Sequence, residues 1–334
     1  MKFLLIQLRR IGDVLMTTPS IRLLHESFPN ADVTFLTESP SDQVLNENPN
    51  LNEILVYRKP ESITELLRYF MHLRSRKFDC VIDFFGNPRS ALMTRFSGAP
   101  MRIGFDFRGR SLAYTHSVKI SGEATYSAAD KAQLLRPLGI SVSDFRLDFF
   151  PEEKDQIYAN NLFKKLGVEE KDFVVSLSPV SRQPYKVWPA ERFGQVADWL
   201  IEKYSAKILF LFGPGEKHFV ESVRALMKMP ALPDYSVPTL TETLSILKRV
   251  DLHLGNDNGI RHFAVAADTP SLAIFGRPWA ANWTPPEPTH HHALEYDPGC
   301  KKKCVYPKCK LECLKGVNVE AVKTELEIVI NNLN

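Results

Sequence analysis

The chain has 334 residues, of which 44% are hydrophobic and 24% charged, with a formal net charge of +3. That length exceeds one ordinary domain and lets each of two domains bury a core without disulfides or metal. The composition excludes a disordered chain, and the near-balanced charge excludes a globally basic nucleic-acid binder, leaving local basic clusters as sites for anions.

The first apolar run, Phe3-Leu4-Leu5-Ile6, stops at Gln7, too soon for a signal-peptide core, and no later stretch reaches membrane-spanning length. The sequence therefore predicts a cytoplasmic protein with no transmembrane segment. Residues 3–8 read as a buried parallel strand, then Arg9-Arg10-Ile11-Gly12-Asp13, then one helix on which Val14, Thr17 or Thr18, Ile21, Leu24 and Phe28 recur at helical spacing. The turn has one glycine, not the three of a dinucleotide fingerprint. What it offers is a carboxylate, Asp13, at a helix N-terminus above the sheet, and on spacing alone helix cap and catalytic base stay equally open. Strands over 31–37, 53–57 and 78–84, with a helix over 63–76, continue the rhythm of an open parallel sheet covered by helices.

A helical linker runs from Pro151 to about Gly167, and a second α/β set follows. Its strands are expected over 173–178, 207–212, 251–254 and 271–275, with helices over 191–204 and 240–250. A final helix over 319–333 puts Val322, Leu326, Val329 and Leu333 on one face. The expected organisation is two Rossmann-like domains, 1–165 and 166–318, and a C-terminal helix, 319–334. Facing each other, such domains would place the carboxyl ends of both sheets around one cleft.

The second domain is rich in anion-binding chemistry. After its first strand come Ser181, Arg182 and Lys186, a hydroxyl, a guanidinium and an ammonium suited to a diphosphate. A solvated polar loop would carry the same residues. In Gly255-Asn256-Asp257-Asn258-Gly259-Ile260-Arg261-His262, a strand turns into a helix whose N-terminus attracts an anion; Gly259 lets amides approach it and His262 lies one turn in. Glu216, after the strand ending near Phe212, suits two ribose hydroxyls. Each of these residues alone is more often structural, but together they crowd the ends of adjacent strands. Near the C-terminus, Cys300, Cys304, Cys309 and Cys313 fall within fourteen residues, next to Lys301, Lys302, Lys303, Lys308 and Lys310. Four thiolates are a candidate tetrahedral zinc site, although structural zinc more often uses two-residue spacing within a pair. Reduced thiols and a local disulfide are the other readings.

The ordered set Gly12-Asp13-Val14-Leu15 with Thr18-Pro19, Lys186 with Trp188-Pro189, Asp257-Asn258-Gly259 with His262, and Phe275-Gly276 resembles glycosyltransferase family 9, the ADP-heptose:lipopolysaccharide heptosyltransferases. The resemblance spans nearly the whole chain. It implies a GT-B fold with the acceptor on the N-terminal domain and an ADP-sugar donor on the C-terminal one. It further implies Asp13 as general base, Ser181, Lys186, Asp257, Asn258, Gly259 and His262 around the diphosphate, and Glu216 at the ribose. Arg9 and Arg10 stand where several members carry small hydroxyl residues, and Asn258 where threonine is common.

From these residues an inverting displacement is expected, without a cofactor: Asp13 deprotonates an acceptor hydroxyl while Lys186 and the helix N-terminus take up charge on the departing diphosphate. No Asp-x-Asp motif suggests a metal in its place. Arg9, Arg10, Arg89, Arg102, Arg108 and Arg110 are the candidate contacts to an anionic lipid-linked saccharide acceptor at the inner membrane surface. Two rival readings remain. One is a GT-B enzyme with another nucleotide diphosphate sugar or a non-lipopolysaccharide acceptor. The other is a nucleic-acid-binding module built on a four-cysteine zinc knuckle, although no nucleic-acid partner is expected.

Overall fold

Phe3 to Ile6 are fully buried, the condition of a parallel strand covered by helices on both faces. A computed structural model describes the chain apart from residues 108, 121–124, 143, 277–278, 287–289, 301–303 and 334. It divides into two compact units, Met1–Phe150 and Pro151–Asn334.

The first unit runs β1 (Lys2–Ile6), α1 (Ile11–Leu15), α2 (Thr18–Ser27), β2 (Asp32–Thr37), β3 (Glu53–Val56), α3 (Ile63–Ser75), β4 (Cys80–Asp83), α4 (Pro88–Phe96), β5 (Met101–Phe105), β6 (His116–Val118) and α5 (Ser127–Ala132). Its six parallel strands lie in the order β3-β2-β1-β4-β5-β6. The single helix expected after β1 is two helices, because Pro19 has no N–H for the Leu15 carbonyl. The Thr18 hydroxyl donates to that carbonyl instead, at 2.7 Å, and the Thr17 hydroxyl donates to Val14 at 2.6 Å. α3 is capped by Ser62, and α4 by a reciprocal box between Asn87 and Ser90.

The second unit runs α6 (Glu153–Lys165), β7 (Val174–Ser178), α7 (Ala190–Tyr204), β8 (Lys207–Phe210), α8 (Lys217–Arg224), α9 (Leu240–Leu247), β9 (Leu252–Asn256), α10 (Gly259–Ala266), β10 (Ser271–Phe275), β11 (His291–Glu295), α11 (Glu312–Gly316) and α12 (Val319–Asn331). Its five parallel strands are ordered β11-β10-β9-β7-β8. α6 packs on α9, so the boundary falls near Pro151 rather than after residue 165. α12 packs on α7, β10 and β11, and its Val322, Leu326 and Val329 join the core around Trp188, Phe193 and Phe210. Among the described residues, no helix is long and apolar enough to cross a membrane.

Candidate functional site

In an open parallel sheet, ligands bind beyond the carboxyl ends of the strands where the order reverses. In the second unit that point lies between β7 and β9. The segments after these strands carry Ser181 and Lys186 on one side and Asp257 to His262 on the other. Lys186 ends a 3-10 turn, Pro184–Lys186, that is held down at Gly276: a Cβ there would lie 1.8 Å from the Tyr185 carbonyl oxygen. Its Nζ sits 2.5 Å from Asp257 Oδ2, a half-buried ion pair joining the two segments.

Asn258 is the N-cap of α10. Its Oδ1 accepts from the Arg261 amide at 3.2 Å, while its Nδ2 donates to Ser178 Oγ at 2.8 Å and to the Val180 carbonyl at 2.9 Å. The side chain is thus a clamp between β7 and α10 rather than a loose polar group. Gly259 follows as the first helical residue with open space where a Cβ would stand. His262 is buried, and burial, with Arg261 and Lys186 nearby, pushes it down to about 3. It is therefore a neutral imidazole at pH 7, not a cation. Its Nδ1 and the Nδ2 of Asn256 are buried with no hydrogen-bond partner among the described residues. Ser181 is buried, and its hydroxyl accepts from the Gln183 amide at 3.3 Å. Glu216, at the N-cap of α8 beyond β8, accepts the Gly213 amide at 2.9 Å.

In the first unit the order reverses between β1 and β4. Asp13 lies beyond β1, half-buried in the first turn of α1; the capping position is Arg10, so Asp13 is not the helix cap. Beneath it is a group the sequence did not reveal. Lys131 on α5 is buried, donates to Gln7 Oε1 at 2.7 Å, and has Asp13, Asp83 and Asp130 as charged neighbours. Burial lowers its pKa, and the three carboxylates oppose that. Asp83, at the end of β4, accepts from the Gly86 amide at 2.9 Å and the Tyr114 hydroxyl at 2.7 Å, and full burial pushes its pKa up.

The predicted basic residues disperse. Arg9 lines a cavity of about 440 Å³ with Tyr57, Arg58, Lys59 and Arg89, at the carboxyl ends of β1 to β3. Glu38 stands in it between Arg9, at 3.0 Å, and Arg89, at 2.9 Å. Arg58, Lys59 and Tyr57 are lining residues that sequence reasoning missed. Arg10 is exposed beside this site. Arg110 donates to the Gly86 carbonyl at 2.8 Å and lies over the Phe107 ring. Arg102 does not belong with the others. It sits near the amino end of β5 and donates to the carbonyls of Ala99 and Ala113, at 2.7 and 2.9 Å, so its role is to tie loops at the far edge of the sheet. Arg108 lies outside the described residues.

The cysteines are free thiols. Cys304 is exposed and Cys300, Cys309 and Cys313 are half-buried. Burial raises the Cys313 thiol, with Cys300 and Cys309 contributing. Among the described residues, no three of the four sulfurs gather closely enough to share an ion. The candidate four-sulfur zinc site therefore finds no support in the fold, and the reading of reduced thiols stands.

A profile of glycosyltransferase family 9 (heptosyltransferase) matches residues 66–315. Lipopolysaccharide heptosyltransferase 3 of Escherichia coli (strain K12) is 27% identical over 300 residues, covering 82% of this chain and 84% of that protein. Among solved structures, the glycosyl transferase family 9 protein of Veillonella parvula DSM 2008 superposes with a TM-score of 0.84 at 23% identity, over 99% of this chain and 97% of the other. The E. coli ADP-heptose lipopolysaccharide heptosyltransferase II does so with a TM-score of 0.77 at 19% identity, over 99% of each. These likenesses give the fold as GT-B, built from two Rossmann-like units. With three quarters of its length matched by the family profile, the chain belongs to glycosyltransferase family 9, the heptosyltransferases.

Proposed function

We propose that this enzyme transfers heptose from ADP-heptose to a hydroxyl of a lipopolysaccharide inner-core acceptor, with inversion at the anomeric carbon. The observation that carries the reading is the β7–β9 switch point, where Lys186, fixed by Asp257, stands beside the N-terminus of α10. A departing diphosphate needs donors that are already in place, and an ammonium with a helix N-terminus supplies them. The buried, unpartnered Nδ1 of His262 and Nδ2 of Asn256 support the same assignment, since ligand oxygens would satisfy them. Asn258 acts by holding α10 against β7, Ser181 and Gly259 border the phosphates, and Glu216 takes the ribose. The names of the relatives support an adenine nucleotide.

Asp13 then takes the proton of the acceptor hydroxyl. That oxygen bonds to the anomeric carbon as the bond to the diphosphate breaks, and ADP leaves. The basic cavity around Arg9, Arg58, Lys59 and Arg89 suits the carboxylates or phosphates of the acceptor. No divalent ion is required in this reading, so turnover is expected to survive EDTA.

An anionic acceptor carried on lipid also calls for a membrane-facing surface, and α3 and α4 supply one. Ile63, Leu67 and Met71 on α3 and Leu92 and Phe96 on α4 are solvent-exposed, from 45% at Phe96 to 68% at Ile63. The Phe70–Phe96 ring stack joins the two helices, and exposed Arg68, Arg74 and Arg95 flank the apolar rows. Apolar side chains rimmed by arginine match an anionic lipid surface.

Thermal-shift titration with ADP, UDP, GDP and CDP tests the donor. ADP is expected to stabilise most, and Lys186→Ala to weaken ADP more than adenosine. A preference for UDP would assign another donor, and equal losses for ADP and adenosine would remove Lys186 from the phosphates.

A further inference from the structure

We infer that Asp268, His290 and His291 form a binding site for a divalent transition metal, zinc in the first instance, which clips the C-terminal end of α10 to the start of β11. The site uses none of the cysteines and plays no part in the reaction proposed above.

The three side chains each offer a ligand atom, and these atoms lie within 4.8 Å of one another. His290 Nε2 is 3.0 Å and His291 Nε2 4.0 Å from Asp268 Oδ1. A tetrahedral ion with nitrogen and oxygen bonds of about 2.0–2.1 Å sets neighbouring donors roughly 3.3 Å apart. His290 stands close to that spacing and His291 about 0.7 Å beyond it, so closure on an ion needs His291 and the exposed Asp268 to draw together. Two imidazoles and one carboxylate suit zinc, cobalt or nickel, whereas calcium and magnesium take oxygen ligands.

The supports are those of a built site. His291 is 4% exposed, and its Nδ1 is held 3.0 Å from Ser271 Oγ, which turns Nε2 toward Asp268. Such a hydrogen bond on the second ring nitrogen is what orients metal-binding histidines. His290 lies against the His291 ring, centroids 4.5 Å apart. The turn carrying Asp268 is pinned by the Thr269 amide donating to Ala264 at 2.9 Å and by the Thr269 hydroxyl donating to Leu247 at 2.6 Å.

Asp268 itself is out of place without a cation. It occupies the left-handed position just past α10, φ 58°, where glycine or asparagine is usual. A carboxylate there faces the negative end of the helix dipole. A metal answers both charges, and the 84% exposure of Asp268 leaves a path for entry and a place for a water ligand.

The test uses the full chain, made without a polyhistidine tag and stripped with chelator. Zinc titration by calorimetry and cobalt titration by visible absorption are compared for the wild type, Asp268→Asn and His290→Gln; both substituted side chains are surface-accessible and their replacements keep shape. The wild type is expected to bind one ion per chain, with the cobalt spectrum of a nitrogen–oxygen site and a raised thermal midpoint. Each variant is expected to bind at least tenfold more weakly, with ADP affinity unchanged in the absence of metal. Three results overturn the proposal: no uptake at micromolar metal, uptake that both variants retain, or sulfur-to-cobalt charge-transfer bands that disappear with Cys309→Ser.

Discussion

Asp13 and Lys131 make a pair whose electrostatics can be read out separately. Asp13→Asn keeps the shape of the side chain and cannot accept a proton, so turnover is expected to fall by roughly a hundred-fold or more, the usual worth of a general base. ADP binding should hold, since Asp13 lies in the other unit from the diphosphate residues. Normal turnover would make Asp13 a structural residue. Lys131 is a positioning residue, and the ammonium favours the ionised form of the carboxylate beside it. Lys131→Met is therefore expected to move the acid limb of the kcat/KM profile to higher pH, whereas a purely structural lysine would lower activity at every pH alike. Asp13, Lys186 and Asp257 were legible because strand ends and helix starts are punctuated in sequence. Lys131 and Asn256 were not: the first reaches the site from a helix more than a hundred residues away, and the second reads as part of the turn after a strand ending at residue 254, whereas it ends the strand itself. Arg102 misled because a sequence shows charge without showing which end of a strand it occupies.

At the scale of elements, the apolar rows of α3 and α4 can be tested without touching the core, since their side chains are already in water. Leu67→Glu with Met71→Glu is expected to abolish co-sedimentation with vesicles containing anionic lipid while leaving the thermal midpoint and ADP binding in place. Glutamate removes apolar area and repels the anionic headgroups. Unchanged sedimentation of the double variant would locate the membrane contact elsewhere. Helix periodicity predicted α3 to within a residue at its end, yet its outer face breaks the amphipathic rule that made it legible. Elements were missed where that rule has little to grip. β11 reads His-His-Ala-Leu-Glu, too polar for a buried strand, and is held at the sheet edge by pairing with β10. β5 begins Met-Arg and contains Gly104, whose missing Cβ makes room for the Tyr114 ring.

For the whole molecule, two α/β sets were visible from alternation alone, but the boundary was not, because the apolar face of α6 does not say which neighbour it will bury. That placement matters for stability against acid, which is expected to be a property of the second unit. His253, His262 and His291 are all buried in it, and burial pushes each down to about 3. In the unfolded chain each titrates near 6.5. Between about pH 6.5 and pH 3 the unfolded state binds protons that the folded state refuses, so stability falls as pH falls, by up to roughly 1.4 kcal/mol per pH unit for each histidine. The contribution is complete only about one pH unit above the unfolded-state value, and beyond that stability is flat with respect to these groups. All four tryptophans, Trp188, Trp199, Trp279 and Trp283, lie in the second unit, so their fluorescence isolates its unfolding. Denaturant titrations followed by tryptophan emission at pH 7.5, 6.5, 5.5 and 4.5 should show the highest midpoint at pH 7.5, a small drop at pH 6.5 and a progressive drop at the others. His262→Gln, which cannot take up a proton in either state, should lower that slope by roughly a third. A midpoint that holds to pH 4.5 would mean that these imidazoles reach protons in the folded enzyme, and with that the neutral His262 assigned to the diphosphate would have to become a cation.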